Sequence, residues 1–151
     1  MNKYAKFLLM ITFSTVVMFF MMYLNVFSID HVYFSQTRLF MALMMGAAMA
    51  IIMLVFMRKM YQNKKTNWII LITSALIFCG SLFMVRSQTA VGDVQWMKAM
   101  IPHHSIAVLT SNRAKLSDPE VKKLAKKIID AQEEEIAQMK ELIEELESDK
   151  R

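Results

Sequence analysis

The chain has 151 residues, of which 56% are hydrophobic and 21% charged, and its formal net charge is +5. Its basic residues mainly flank apolar segments or alternate with glutamates, so we predict no nucleic-acid partner. The single cysteine excludes an intramolecular disulfide and a zinc site built from cysteines. Most apolar residues precede Arg86, which predicts a membrane region at residues 1–86, a linker at 87–92 and a polar domain at 93–147.

Three apolar runs without charged residues predict three transmembrane helices, at residues 7–27, 39–57 and 68–85. A helix rises about 1.5 Å per residue, so runs of this length can cross a hydrocarbon core of roughly 30 Å. A cleaved signal peptide is the alternative for the first run. Its length and the lack of a small-x-small cleavage site favour an uncleaved anchor.

The charges of the loops predict the orientation in the membrane. Two lysines precede the first run, and four basic residues lie within residues 58–65. Residues 28–38, in contrast, carry one acidic and one basic side chain. Positive loops stay in the cytoplasm, so we expect a cytoplasmic N-terminus and a periplasmic or extracellular C-terminal domain. His31 lies in the outer loop, and we expect it to be solvated because nothing nearby supplies a second ligand.

The second run combines methionines at every fourth position from 41 to 57 with the small residues Ala42, Gly46 and Ala50. Small residues allow another helix to approach closely, and methionines fill the surrounding space. A ladder of thioethers that passes Cu(I) across the membrane is the alternative, although no charged or imidazole group joins it.

Residues 93–147 predict two helices joined by a short turn, which makes them antiparallel neighbours. Pro102 lies within the first helix and predicts a kink or a restart. Ser117 and Glu120 predict a capping box at the start of the second helix.

The second helix has an apolar stripe that two polar residues interrupt, and we expect this stripe to face the first helix. Counted from the turn, Gln132 and Glu135 lie opposite the segment that contains His103 and His104. Buried polar groups need partners, so we predict that these four residues meet. The residues of the stripe are Val121, Ala125, Ile128, Gln132, Glu135, Met139, Leu142 and Leu146.

Residues 97–104, in the first predicted helix of the polar domain, contain both thioether and imidazole side chains. Met100 precedes His103 by three residues and His104 by four, which places the three side chains on one side of a helix. Thioether and imidazole ligands suit copper, especially Cu(I). Zinc is less favoured, because it would use only the histidines and carboxylates.

The order Met97–His104, Asp118-Pro119 and Gln132-x-x-Glu135-Ile136-x-x-Met139 resembles domain-of-unknown-function family 305 over about residues 93–146. Members of that family are ferritin-like helical domains built around a Met-Ile-Pro-His-His motif, and some resemble periplasmic copper-binding proteins. The family often has Gln-Gly after the two histidines, where this chain has Ser105-Ile106, so we assign no ligand role to the residue after His104.

The resemblance implies two sets of site residues. The metal-contacting positions are Met97, Met100, His103, His104 and Met139. The groups that orient the imidazoles or act as further ligands are Asp93, Gln132 and Glu135.

We therefore predict an all-α protein with three transmembrane helices followed by an extracytoplasmic antiparallel hairpin of the ferritin-like family. Its predicted function is to bind, buffer or transfer copper, not to catalyse a reaction, because we find no Ser-His-Asp order, phosphate loop or Glu-x-x-His motif. The alternative is a structural module whose His, Gln and Glu form only a hydrogen-bond network. We expect a homo-oligomer, since about 55 residues make a small core, together with the bilayer and a metal donor or acceptor protein as partners.

Overall fold

The computed structural model describes residues 2–149, and within that range it contains helices and no strand, which confirms the all-α prediction. The described chain forms two compact units. Residues 2–22 and 37–90 make one unit, called the membrane unit because its three helices are long and apolar enough to span a membrane. Residues 23–36 and 91–149 make the polar unit. The elements are α1 (Lys3–Met21), a 3-10 helix (Ile29–His31), α2 (Gln36–Phe56), α3 (Lys64–Ser87), α4 (Asp93–Arg113) and α5 (Pro119–Ser148).

The first three α-helices have 19, 21 and 24 residues and are long and apolar enough to span a membrane. Their bounds differ from those of the apolar runs. Helix α1 begins at Lys3 and ends at Met21, and α3 begins at Lys64. At the starts of α1 and α3 the helical backbone includes the flanking lysines, whose long side chains can extend along the helix towards water.

Close packing in the membrane unit depends on small residues of α2. A Cβ atom placed on Gly46 would lie 2.2 Å from Oγ1 of Thr15 on α1. This is the close helix approach that the small residues predict. The buried cluster of this unit draws on α1, α2, the α2–α3 loop and α3, and comprises Phe7, Ile11, Ala50, Leu54, Tyr61 and Ile70.

Hydrogen bonds hold the α2–α3 loop against α1. The Tyr4 hydroxyl donates to Asn67 Oδ1 at 2.9 Å and accepts the Asn63 backbone N–H at 3.1 Å. Asn67 Nδ2 donates to the Tyr61 carbonyl at 2.7 Å. These polar groups therefore satisfy one another, which fixes the loop.

In the polar unit, α4 and α5 run in opposite directions along each other. Lys98 pairs with Glu147 near one end, and His104 pairs with Glu135 further along, so the residue numbers rise on one helix as they fall on the other. Helix α4 is continuous through Pro102, so the predicted restart does not occur.

The start of α5 corrects the predicted cap by one residue. Asp118, not Ser117, accepts the backbone N–H groups of Glu120 at 2.8 Å and Val121 at 3.0 Å. Pro119 follows as the first helical residue. A residue before proline favours extended backbone, which is the conformation of an N-cap, and the Asp118 carboxylate also matches the positive end of the helix dipole.

The inward face of α5 is also rotated from the predicted stripe. Ile136, Met139 and Ile143 are buried. This rotation keeps the Glu135 side chain 52% exposed, so that water still reaches its carboxylate. The predicted inward residues that are exposed instead are Val121, Ile128, Leu142 and Leu146.

The loop between α1 and α2 is part of the polar unit. Its Tyr33 packs against the buried cluster of α4 and α5, and its Phe27 N–H donates to Ser105 on α4. The two-helix core that the sequence predicts thus gains a third layer. The buried members of the cluster are Val94, Met97, Ile101, Ile136, Met139 and Ile143.

Candidate metal centre

His104 is held in a defined orientation on α4. Its Nδ1 lies 3.0 Å from the carbonyl oxygen of Met100, and its side chain is 12% exposed. Because a carbonyl only accepts hydrogen bonds, Nδ1 carries a proton. In the neutral imidazole, the lone pair is therefore on Nε2, the nitrogen that faces α5.

The polar residues of α5 meet this nitrogen. Oε2 of Glu135 lies 2.6 Å from Nε2 of His104, and Nε2 of Gln132 donates to the same oxygen at 3.4 Å. The distance between Nε2 and Oε2 requires a shared proton, carried by either the ring or the carboxyl. The structure thus brings together His104, Gln132 and Glu135, three of the site residues implied by the resemblance.

Thioethers lie close to this level of the hairpin. Met97 and Met139 are buried in the cluster of the polar unit, and Met100 packs against it. Met100 is one helical turn before His104 and Met139 one turn after Glu135, so antiparallel pairing brings the two to the same level. Met97 lies seven residues before His104, which is about 10 Å along the helix axis.

His103 and Asp93 occupy more exposed positions. The ring of His103 is exposed, and its centroid lies 6.0 Å from that of His104 with 68° between the planes. Asp93 is exposed in the first turn of α4, where a carboxylate favours the helix dipole. Eleven residues of helix place Asp93 about 16 Å along the axis from His104, so the two do not meet.

This donor set has a soft character. Within residues 2–149, no group of three or more His, Cys, Asp or Glu side chains is close enough together to hold a metal ion. The described neighbour of Nε2 of His104 is the Glu135 carboxylate, and Met100 and Met139 lie at the same level of the hairpin. One imidazole with thioethers fits Cu(I) better than it fits zinc.

Ser105 and His31 form a second polar contact in this unit, which the sequence did not predict. Ser105 is fully buried; its Oγ accepts the Phe27 N–H at 2.7 Å and lies 3.0 Å from Nδ1 of His31. The expectation of a solvated His31 is wrong, since its side chain is 13% exposed. Ser105 lies on the same face of α4 as the buried Ile101 and Val108, and this spacing is the signal that could have identified it.

The charged groups around His31 shift its pKa in opposite directions. Burial lowers the pKa of His31, and Lys140 acts in the same direction, whereas Asp30 and Glu133 raise it. Nδ1 of a neutral His31 can accept a hydrogen bond from the Ser105 hydroxyl, which gives both side chains a partner. The pKa of Asp30 lies well below its usual range, mainly because it accepts hydrogen bonds from Lys140 and Ser28.

A comparison with known protein families points to the same part of the chain. Residues 85–151 match the family described as Domain of unknown function (DUF305). An uncharacterized protein of Acanthamoeba polyphaga mimivirus is 36% identical over 110 residues, which is 70% of this chain and 69% of the relative. No solved structure matches the chain. The family match contains α4 and α5 and therefore the His104–Glu135 pair.

Proposed function

We propose that this chain, which belongs to the DUF305 family, is a membrane-anchored copper-binding protein whose polar unit lies outside the cytoplasm. The observation that best supports this proposal is the orientation of His104. Its Nδ1 is engaged by a carbonyl, which directs Nε2 towards Glu135 beside a methionine-containing cluster. Fixing one imidazole nitrogen through a backbone carbonyl is a common way to orient a metal-binding histidine.

In this proposal, copper binds as Cu(I) to Nε2 of His104 and to the thioethers of Met100 and Met139, with Met97 as a deeper sulfur donor. Cu(I) is a soft cation, and a protein that binds it in this way can store it or pass it on. His103 is exposed next to His104, which suits the exchange of metal with a donor or acceptor protein. The role is binding, buffering or transfer, without a catalytic step.

Anchorage and assembly are further parts of the proposal. The three apolar helices support insertion in a bilayer, and the basic α2–α3 loop supports a cytoplasmic position for that loop and for the N-terminus. Exposed apolar side chains near both ends of α5 support a homo-oligomer, because exposed apolar patches often mark contacts with another chain. These residues are Val121, Leu124, Ile128, Leu142 and Leu146.

A competition titration of the full chain with a Cu(I) chelator tests the proposal. We expect His104→Ala and the Met100→Leu/Met139→Leu pair each to weaken Cu(I) binding by tenfold or more. Leucine keeps the apolar volume of methionine, so the pair should cost less than about 1.5 kcal/mol per site in stability. His31→Gln is the matched control, because it alters another histidine of the same unit. Unchanged Cu(I) affinity in both test variants would contradict the proposal.

A second candidate function is a structural module, and one observation favours it. Both ring nitrogens of His104 have hydrogen-bond partners within the chain. A purely structural role predicts that His104→Ala lowers stability by about 1–3 kcal/mol and that Cu(I) does not stabilise the wild-type chain. The copper proposal predicts that Cu(I) at a hundred times its wild-type Kd raises wild-type stability by about 2.7 kcal/mol. It should raise the stability of His104→Ala, which binds at least tenfold more weakly, by no more than about 1.4 kcal/mol.

A further inference from the structure

We infer that the ends of α2 and α3 form a binding site for an anionic phospholipid, separate from the proposed copper site. A cleft of about 370 Å³ opens between these helix ends. Arg58, just after α2, and Lys64, at the start of α3, both line it and are exposed. Two cations at one cleft suit a phosphate group, and a guanidinium can bind phosphate oxygens in a bidentate manner.

The membrane unit contains no acidic residue that could neutralise these cations. Residues 1–29 and 31–92 include no aspartate or glutamate, whereas the unit has eight lysines and arginines. Arg58 and Lys64 therefore have no carboxylate partner within their own unit. The counter-charge must come from outside it, and at the end of a membrane-spanning hairpin the available anion is a lipid headgroup.

The rest of the cleft matches the remainder of a phospholipid. Leu54, Val55 and Leu71 supply an apolar wall beside the cationic side chains. Trp68 also lines the cleft and is 64% exposed. Tryptophan is enriched where hydrocarbon meets headgroups, so its position marks the level at which an acyl chain joins the glycerol phosphate.

The cleft is also preorganised. Asn67 lines it, and both ends of its amide are engaged by Tyr4 and the Tyr61 carbonyl. These bonds fix the loop that carries Arg58 relative to α3. A site whose walls are already ordered loses less entropy on binding than one that must be assembled.

Quenching of Trp68 by brominated lipids tests this site. The full chain carrying Trp96→Phe, which leaves Trp68 as the remaining tryptophan, is reconstituted in phosphatidylcholine with a minor fraction of dibrominated phosphatidylglycerol or dibrominated phosphatidylcholine. We expect phosphatidylglycerol to bind roughly 25-fold more tightly than phosphatidylcholine, which is about fivefold for each of the two basic side chains. Arg58→Gln and Lys64→Gln should each reduce this preference about fivefold. Arg58→Lys should reduce it less, because lysine keeps the charge but not the paired N–H donors of the guanidinium.

The matched control is Lys59→Gln/Lys65→Gln, which removes two neighbouring charges that do not line the cleft. Retention of the preference in this control supports the cleft. Equal quenching by the two brominated lipids would overturn the inference, and so would an equal loss in the control and in the Arg58→Gln/Lys64→Gln double variant. Millimolar inorganic phosphate should act no more strongly than chloride of equal ionic strength; specific competition would instead indicate a soluble phosphate ligand and overturn the lipid assignment.

Discussion

Replacing Ser105 by alanine should detach the α1–α2 loop from the hairpin without disturbing the membrane unit. The Ser105 hydroxyl is fully buried and accepts the Phe27 N–H while facing Nδ1 of His31. Alanine removes both contacts and adds no bulk. The loop then loses the hydrogen bond that joins its backbone to α4.

The expected cost follows from the groups that lose a partner. A typical intramolecular hydrogen bond contributes about 1 kcal/mol, and an unsatisfied buried group costs about 1–3 kcal/mol. The Phe27 N–H and the His31 ring are each partly accessible, so water can replace part of what is lost. We therefore expect a total loss of about 1–3 kcal/mol, which corresponds to a 5–150-fold change in the opening equilibrium of the loop.

Amide hydrogen exchange measured by mass spectrometry on the full chain reports this equilibrium. Peptides from residues 23–36 should exchange 5–150-fold faster in Ser105→Ala, while peptides from within α1, α2 and α3 should keep their rates. Thr110→Ala is the control, because the Thr110 hydroxyl is exposed and bonds only to carbonyls of its own helix at 2.9 and 3.2 Å. Unchanged exchange in residues 23–36, or an equal increase in both variants, would refute the role assigned to Ser105.

Three further predictions follow from the contacts. Burial lowers the pKa of His31 below its ordinary value of 6.5, so between the lowered pKa and 6.5 the unfolded chain binds more protons than the folded chain. Stability should therefore fall as the pH is lowered through this range. His31→Gln should flatten the dependence of stability on pH in a denaturant titration, and an unchanged dependence would contradict this role of His31. Gly46→Ala should lower stability by about 1–3 kcal/mol because α1 must move away, whereas Gly80→Ala, whose methyl meets no described atom within 4 Å, should not, as judged by thermal circular dichroism. Asp118→Ala should cost about 1 kcal/mol and speed exchange in the first turn of α5, and Ser117→Ala should leave that turn unchanged; the reverse result would restore the predicted cap.

The sequence predicts the presence of the three long apolar helices better than their ends. Uninterrupted apolar runs require helical backbone in a bilayer, because each amide must find its partner within the segment. The run marks only the part of a helix that needs hydrocarbon around it. Asn63 caps α3 before Lys64, and this cap is a local hydrogen bond that hydropathy does not detect.

The rotation of α5 was harder to predict. Helical periodicity allows two apolar faces that differ by one residue, one through Leu142 and Leu146 and one through Ile136 and Ile143. Both have the right spacing, and the choice depends on where Glu135 can remain hydrated while it reaches His104. That balance involves a partner on another helix, which spacing within α5 cannot reveal.

His31 shows where a local pattern is insufficient. It lies 74 residues from its partner Ser105, and the intervening chain contains two apolar helices. The antiparallel hairpin could be predicted because a short turn fixes which residues meet. The metal-binding role of the histidines and methionines stays a prediction, since the same methionines also serve as the apolar core.

The polar unit is interrupted in the sequence, with α2 and α3 inserted between its first part, residues 23–36, and its second part, which starts at residue 91. A fragment that begins at α4 would lack Tyr33 and would leave the Ser105 hydroxyl without the loop that covers it. A measurement of metal affinity therefore needs both parts of the unit. A water-soluble version must splice residues 23–36 onto the hairpin, so that the insertion is deleted and both parts of the unit are retained.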